Sequence, residues 1–183
     1  KETEDGPLFS VTVEPLKPLV VIFDETEETL SEPLVLSGEK QPLAANWKRS
    51  LCRSIDYPAF QKEKTVTLPD HLAEEEPLFS GFVRYENTIS CKKGEGLLLE
   101  ISKAAEGVEV FVNGVSAGIQ IAAPYRYDLS GLVKEGENEL RIEVATTLER
   151  EMSQHPDPMM AMMGVKSVPT SESGITGMVC IEK

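Results

Sequence analysis

The sequence predicts an all-β chain folded as an antiparallel β-sandwich. Aliphatic residues recur at period two, as in Val108, Val110 and Val112 alternating with Glu109 and Phe111. Turn residues separate these runs at regular intervals, Asn113-Gly114 and the Gly131 to Gly136 stretch among them. A helical apolar period never lasts beyond about two turns, which argues against an α/β arrangement.

Composition sets the outer bounds. The chain has 183 residues, room for one domain or for one domain with part of another. No apolar run is long enough for a transmembrane helix. The residues after Lys1 carry no signal-peptide pattern, and the absence of an initial Met leads to the expectation of a processed chain or an excised fragment. A formal charge of −13 repels the phosphates of nucleic acids and of anionic membranes, so neither is expected as a partner. The acidic clusters Asp24-Glu25-Thr26-Glu27-Glu28 and Glu74-Glu75-Glu76 are expected as solvated surface. The three cysteines, Cys52, Cys91 and Cys180, are odd in number and far apart. With only His71 and His155 beside them, neither a disulfide framework nor a structural zinc site is expected. Reduced thiols point to the cytoplasm, with secretion left open.

Taken in order, Leu8–Val13 and Leu19–Phe23 read as strands interrupted by Pro15 and Pro18, followed by an acidic stretch with the apolar island Leu34-Val35-Leu36. Trp47 opens a strand, and Glu63–Leu68 forms another before a turn at Pro69–Leu72. Phe79–Ile89 alternates as a strand with Phe79, Gly81, Val83, Tyr85 and Asn87 on one face. Lys92–Gly96 reads as a glycine-rich hairpin turn and Leu97–Ser102 as a buried strand. Asn113-Gly114 tolerates positive φ at both positions and closes a hairpin between Val108–Val112 and Val115–Ala122. Pro124 ends that strand, Tyr125–Leu129 is a short one, and Ser130–Asn138 is a turn region. Asn138–Val144 sets Leu140, Ile142 and Val144 on one face and Arg141 and Glu143 on the other. Ser153–Ser173 is a proline-rich loop, and Val179–Glu182 is the last strand.

Several of these stretches carry a family resemblance. They are the valine-rich strand with Asn113-Gly114 and Gly118, P-Y-R-Y-D-L at 124–129, and K-E-G-E-N-E-L-R-I-E-V at 134–144. F-S-G-F-V-R-Y-E-N-T-I at 79–89, L-A-A-N-W-K-R-S-L at 43–51 and S-G-I-T-G-M-V at 173–179 extend the match. Together they resemble the galactose-binding-like jelly-roll domain of glycoside hydrolases. The order is similar to the sugar-binding domain of the β-galactosidase/β-glucuronidase family and, more closely, to the C-terminal β-sandwich of large bacterial α-L-rhamnosidase-like hydrolases. The resemblance implies a jelly roll over residues 41–183 and a partial β-domain or linker from a preceding domain over 1–40. It also implies a bacterial parent hydrolase acting on complex, plant-type or rhamnose-containing glycans, whose catalytic carboxylates sit in a separate barrel that this chain is too short to contain.

The chemistry follows from that frame. Gly114-Val115-Ser116-Ala117-Gly118 matches G-x-S-x-G, and Asp128 and His155 follow in hydrolase order. The motif needs a strand entering and a helix leaving, whereas here Asn113-Gly114 is itself the turn and β-branched residues follow, so no catalytic residue is assigned. Sugar contact is the sharper expectation, since aromatic faces with amide, carboxylate and guanidinium groups match vicinal hydroxyls. The candidates are Asn113, Tyr125, Arg126 and Asp128, with Tyr85 and Trp47 further off. Each also has a structural reading: a turn for Asn113, a cap of the Ser-Gly turn for Asp128, edge packing for Tyr125, and core packing first for Trp47. Met159-Met160-Ala161-Met162-Met163 reads as a loop covering a neighbouring domain, with thioether copper binding a distant option. No cofactor is expected, although the acidic loops leave room for a structural calcium ion. The expected partner is carbohydrate or a neighbouring catalytic domain of the same polypeptide. The alternatives are a structural or protein-interaction β-sandwich and a standalone carbohydrate-binding protein.

Overall fold

The computed structural model describes residues 2–3, 6–7, 11, 13, 18–21, 38–92, 94, 96–155, 158–164 and 168–183. The chain divides into two compact units, Lys1–Pro33 and Leu34–Lys183. In the first, β1 (Glu2–Thr3) pairs antiparallel with β2 (Gly6–Pro7). The strands expected at Leu8–Val13 and Leu19–Phe23, and the apolar island at Leu34–Leu36, fall mainly outside the described residues.

The second unit is an antiparallel β-sandwich. Its four-stranded sheet holds β3 (Lys40–Pro42), β7 (Leu98–Ile101), β10 (Tyr125–Asp128) and β12 (Val179–Glu182), in the order β10-β7-β12-β3. The six-stranded sheet holds β4 (Trp47–Arg53), β5 (Gln61–Val66), β6 (Gly81–Cys91), β8 (Gly107–Val112), β9 (Val115–Gln120) and β11 (Gly136–Ala145). Its order is β5-β4-β6-β11-β8-β9.

Period-two patterning sets the register of the central strands. Val108, Val110 and Val112 of β8 and Leu140, Ile142 and Val144 of β11 all face inward and are buried. A one-residue slip of β8 would turn all three of its valines to solvent, at about 1.5–3 kcal/mol each. The β8–β9 hairpin closes through Asn113 at φ 51° and Gly114 at φ 83°, the left-handed pair that such a turn demands. From the other sheet, Leu99, Ile101, Tyr127 and Ile181 meet these residues in one core. Two tyrosines lace the sheets together: Tyr125 Oη donates to the Glu106 carbonyl at 2.9 Å and Tyr127 Oη to the Val108 carbonyl at 2.7 Å. Trp47 is fully buried, its indole N–H donating to the Leu43 carbonyl at 2.9 Å.

Two local readings change. The hairpin expected at Lys92–Gly96, a stretch only partly within the described residues, does not form, because β6 and β7 lie in different sheets. The same turn residues serve both outcomes, and only the long-range pairing of β7 with β10 and β12 decides between them. Among the described residues three short helices appear that the sequence reading did not assign: α1 (Leu72–Glu75) after the turn at Pro69–Leu72, α2 (Glu149–Met152) before the proline-rich loop and α3 (Pro158–Met162) within it. Among them α1 is seated by Leu72, whose side chain is wholly buried. No helix among the described residues is long and apolar enough to cross a membrane.

Candidate functional site

β4 separates the polar chemistry of the molecule into two sets. Its odd positions, Trp47, Arg49 and Leu51, face the core. Arg49 donates from Nη1 to Asp70 Oδ1 and from Nη2 to Glu75 Oε2, both at 2.7 Å. Asp70 Oδ2 accepts from Tyr85 Oη at 2.6 Å, and Tyr85 Oη accepts from the Ile175 amide at 3.1 Å. Lys64 and Arg49 together hold the Glu75 carboxyl at about 2, well below the usual carboxylate range. Burial and the adjacent Asp70 push the Tyr85 phenol far up, so it stays a donor. Gly174, at φ 75°, lies so close to Tyr85 Oη that a Cβ there would collide with it. This network pins the loop before α1 to the loop before β12. It is structural, since the protein itself supplies partners to both terminal nitrogens of Arg49, to both Asp70 oxygens and to the Tyr85 hydroxyl, while Arg49 Nε has none among the described residues.

The even positions point outward, and strand register extends them into rungs across the sheet. One rung runs Ser50, Arg84, Glu143, Glu109. The segment after β4, with a 3₁₀ turn at Ser54–Asp56, folds over it. Tyr57 packs on Phe82 at 4.6 Å, and the Arg84 guanidinium lies 3.7 Å from the Phe60 ring centre. Glu143 is nearly buried, accepting from Arg84 Nε at 3.0 Å and from Tyr57 Oη at 3.1 Å. Desolvation raises the Tyr57 phenol, and the Glu143 carboxylate adds to the shift. That half of the face is roofed and saturated.

The next rung, Lys48, Glu86, Arg141 and Phe111, stays open. The Arg141 guanidinium lies 3.9 Å from the Phe111 ring centre, a cation–π contact that fixes its plane. Lys48, Glu86 and Arg141 of this rung, with Asn46, Asn87, Thr88, Gly114 and Glu139, border a cleft of about 380 Å³ beside the β8–β9 turn. Two cations and two carboxylates line it, so it carries no net formal charge. A larger pocket of about 490 Å³ lies near the other end of β4, bordered by Arg53, Glu76, Leu78, Phe79, Glu151 and His155. Its charges are already matched, Arg53 with Glu151 at 2.9 Å and Glu76 with Lys62 at 2.7 Å. Among the described residues no group of three or more His, Cys, Asp or Glu side chains is arranged to hold a metal ion.

The residues singled out from the sequence do not gather at one place. Trp47 and Tyr85 are fully buried and present no ring face to solvent. Tyr125 is buried against the Glu106 carbonyl, and Arg126 Nε donates to Glu100 Oε2 at 2.7 Å on the four-stranded sheet. Asp128 caps the following turn, accepting from the Ser130 amide at 3.0 Å and hydroxyl at 2.6 Å. Asn113 Nδ2 donates to Asn138 Oδ1 at 2.8 Å, while its turn places Gly114 on the cleft wall. Ser116 Oγ donates to Glu109 Oε1 at 2.7 Å and Asp128 is engaged with Ser130, so the hydrolase-order residues have separate partners. Lys48, Glu86 and Arg141 escaped the sequence reading, because each alone looks like an ordinary solvated strand position. Only the register of three strands from distant parts of the chain sets them side by side.

No protein-family profile matches the chain, and no curated protein matches it in sequence. Solved structures do. A rhamnosidase from Novosphingobium sp. PP1Y is similar at 24% identity and a TM-score of 0.59, over 85% of this chain and 16% of that one. A Faecalibacterium prausnitzii β-glucuronidase is similar at 13% identity and a TM-score of 0.57, over 83% of this chain and 32% of that one. A glycoside hydrolase family 2 β-galacturonidase from Eisenbergiella tayi is similar at 18% identity and a TM-score of 0.56, over 79% and 24%. The likeness lies in the fold, a β-sandwich that makes up a small part of each of these hydrolase chains.

Proposed function

We propose that this chain is a non-catalytic accessory domain of a larger bacterial glycoside hydrolase, and that it contributes contact with carbohydrate instead of bond cleavage. One observation carries the reading: the fold fills 85% of this chain but only 16% of the rhamnosidase chain it resembles. Glycoside cleavage needs two carboxyl groups flanking a bound sugar, about 5–10 Å apart. In this reading the carboxylates belong to a neighbouring catalytic domain, and the outer-face cleft holds glycan nearby.

Two measurements test this. An antibody against the chain, applied to extracts of the producing cells, is expected to detect a polypeptide several times longer than 183 residues. The purified chain is expected to release no nitrophenol from aryl rhamnosides, galactosides or glucuronides. A native polypeptide of the chain's own size would instead support a standalone carbohydrate-binding protein. Turnover by the purified chain would overturn the non-catalytic reading.

A second reading is favoured by exposed apolar side chains. Leu78 borders the larger pocket, and Met152, Met159, Met162 and Met163 are all exposed in and around α2 and α3. Methionine packs adaptably against partners, so this surface suits docking of a neighbouring domain. Scaffolding and sugar contact use different surfaces and are compatible in one domain.

A further inference from the structure

The open rung differs from the larger pocket in the state of its charges. Around Arg53 the ions are paired with one another. In the cleft, the two terminal nitrogens of Arg141 donate to no acceptor among the described residues, its Nε lying 3.5 Å from Glu143. Glu86, opposite Arg141 in the register, is half-buried, and its carboxylate accepts no hydrogen bond from a described residue. Lys48, opposite Glu86 on its other side, reaches only the exposed Glu63 at 3.7 Å. These are strong hydrogen-bonding groups whose ion pairs are long, at 3.5 Å for Arg141 and 3.7 Å for Lys48, and whose terminal hydrogen-bonding capacity is left open.

We infer that this cleft binds an uncharged saccharide and discriminates against uronates, an inference that rests on the carbohydrate-contact reading above. A sugar hydroxyl both donates and accepts, so a pair of neighbouring hydroxyls is met by a cation on one side and a carboxylate on the other. Adjacent strands lie about 4.8 Å apart, which spaces the three charged groups of the rung over roughly a disaccharide's length. The Phe111 ring keeps the guanidinium flat, so little freedom is lost when it engages two hydroxyls at once. A uronate carboxylate could engage the same guanidinium, but only against the negative charges set around it. Glu86 stands between the two cations, Glu139 adds a second negative charge at the rim, and the whole chain carries −13.

The test is an amide chemical-shift titration of the full chain with methyl rhamnoside, methyl galactoside, cellobiose, glucuronate and galacturonate at matched ionic strength. At least one neutral sugar is expected to give saturable shifts at Asn46, Glu86, Asn87, Gly114 and Arg141, with uronates binding at least about tenfold more weakly. Arg141→Ala and Glu86→Gln are each expected to weaken the neutral sugar by about tenfold or more. Arg53→Ala, in the other pocket, is expected to leave its affinity unchanged, and Trp47 fluorescence reports that each variant is folded. Equal or tighter uronate binding in this cleft would overturn the selectivity while sparing the carbohydrate-contact reading. Shifts centred on Arg126 and Asp128, or on the Arg53 pocket, would overturn the placement. No shift with any of these sugars would overturn both the inference and the carbohydrate-contact reading, leaving the accessory-domain assignment to be judged by the length of the native polypeptide.

Discussion

Arg49 and Lys48 are chain neighbours on β4, yet the pleat sends them into opposite roles. Inside, Arg49 meets Asp70 and Glu75, and Tyr85 and the Ile175 amide complete the set. Outside, Lys48 joins Glu86 and Arg141 on a rung whose polar groups are largely left to solvent. The two sets use the same kinds of groups. What separates them is whether the protein has already supplied the partner. A charged group with its hydrogen bonds made is architecture, and a charged group held rigid without them is available for a ligand.

The sharpest way to break this contrast is Arg49→Ala. It strands Asp70 as a buried carboxylate, and removing one member of a buried ion pair costs about 3–5 kcal/mol. Urea unfolding of the variant against the parent chain measures it. A loss no larger than that of an exposed arginine would mean the inner network is not structural.

Tyr85→Phe removes one hydroxyl that both donates and accepts, so Asp70 Oδ2 and the Ile175 amide lose a buried partner together. The expected cost is about 1–3 kcal/mol in the same unfolding measurement.

The acid limb of stability gives a third comparison. The folded Glu75 carboxyl lies at about 2, below its unfolded value near ~4.3, so the native state binds fewer protons there. Its contribution is fully present above the unfolded value and is lost as pH falls from there towards 2. Glu75→Gln is expected to flatten that part of the stability–pH curve while leaving its shape above pH ~5 unchanged.

The smallest expected effect belongs to the outer rung. Arg141→Ala removes a half-exposed side chain with no terminal hydrogen bonds, and its stability is expected to stay within about 0.5 kcal/mol of the parent.

The two regions also differ in how much of them could be read from the sequence. Local signals carried far. Asn113-Gly114 gave the β8–β9 hairpin, alternation gave the inward faces of β8 and β11, and Val179–Glu182 is the last strand. Trp47 is a core residue, the first of the two roles expected for it. Pairing between distant strands did not show. Leu98–Ile101 was legible as a buried strand but not as a member of the second sheet, because its partners lie at Tyr125–Asp128 and Val179–Glu182. The candidate site was invisible for the same reason. Lys48, Glu86 and Arg141 are far apart along the chain and become one rung only through β4–β6 and β6–β11 register. The residues that did look like sugar ligands, Tyr125, Arg126 and Asp128, all lie on the short β10, where each has a protein partner.

The most direct test of the contrast is thermal unfolding of the parent chain, Arg49→Ala and Arg141→Ala, each with and without a saturating neutral saccharide. A ligand that binds only the folded state raises Tm by mass action. The account predicts that the saccharide raises the Tm of the parent chain. It predicts a low Tm for Arg49→Ala that still rises with sugar, and a parental Tm for Arg141→Ala that rises clearly less with sugar than the parent's does. A Tm for Arg141→Ala as low as that of Arg49→Ala, or one that rises with sugar as the parent's does, would contradict it.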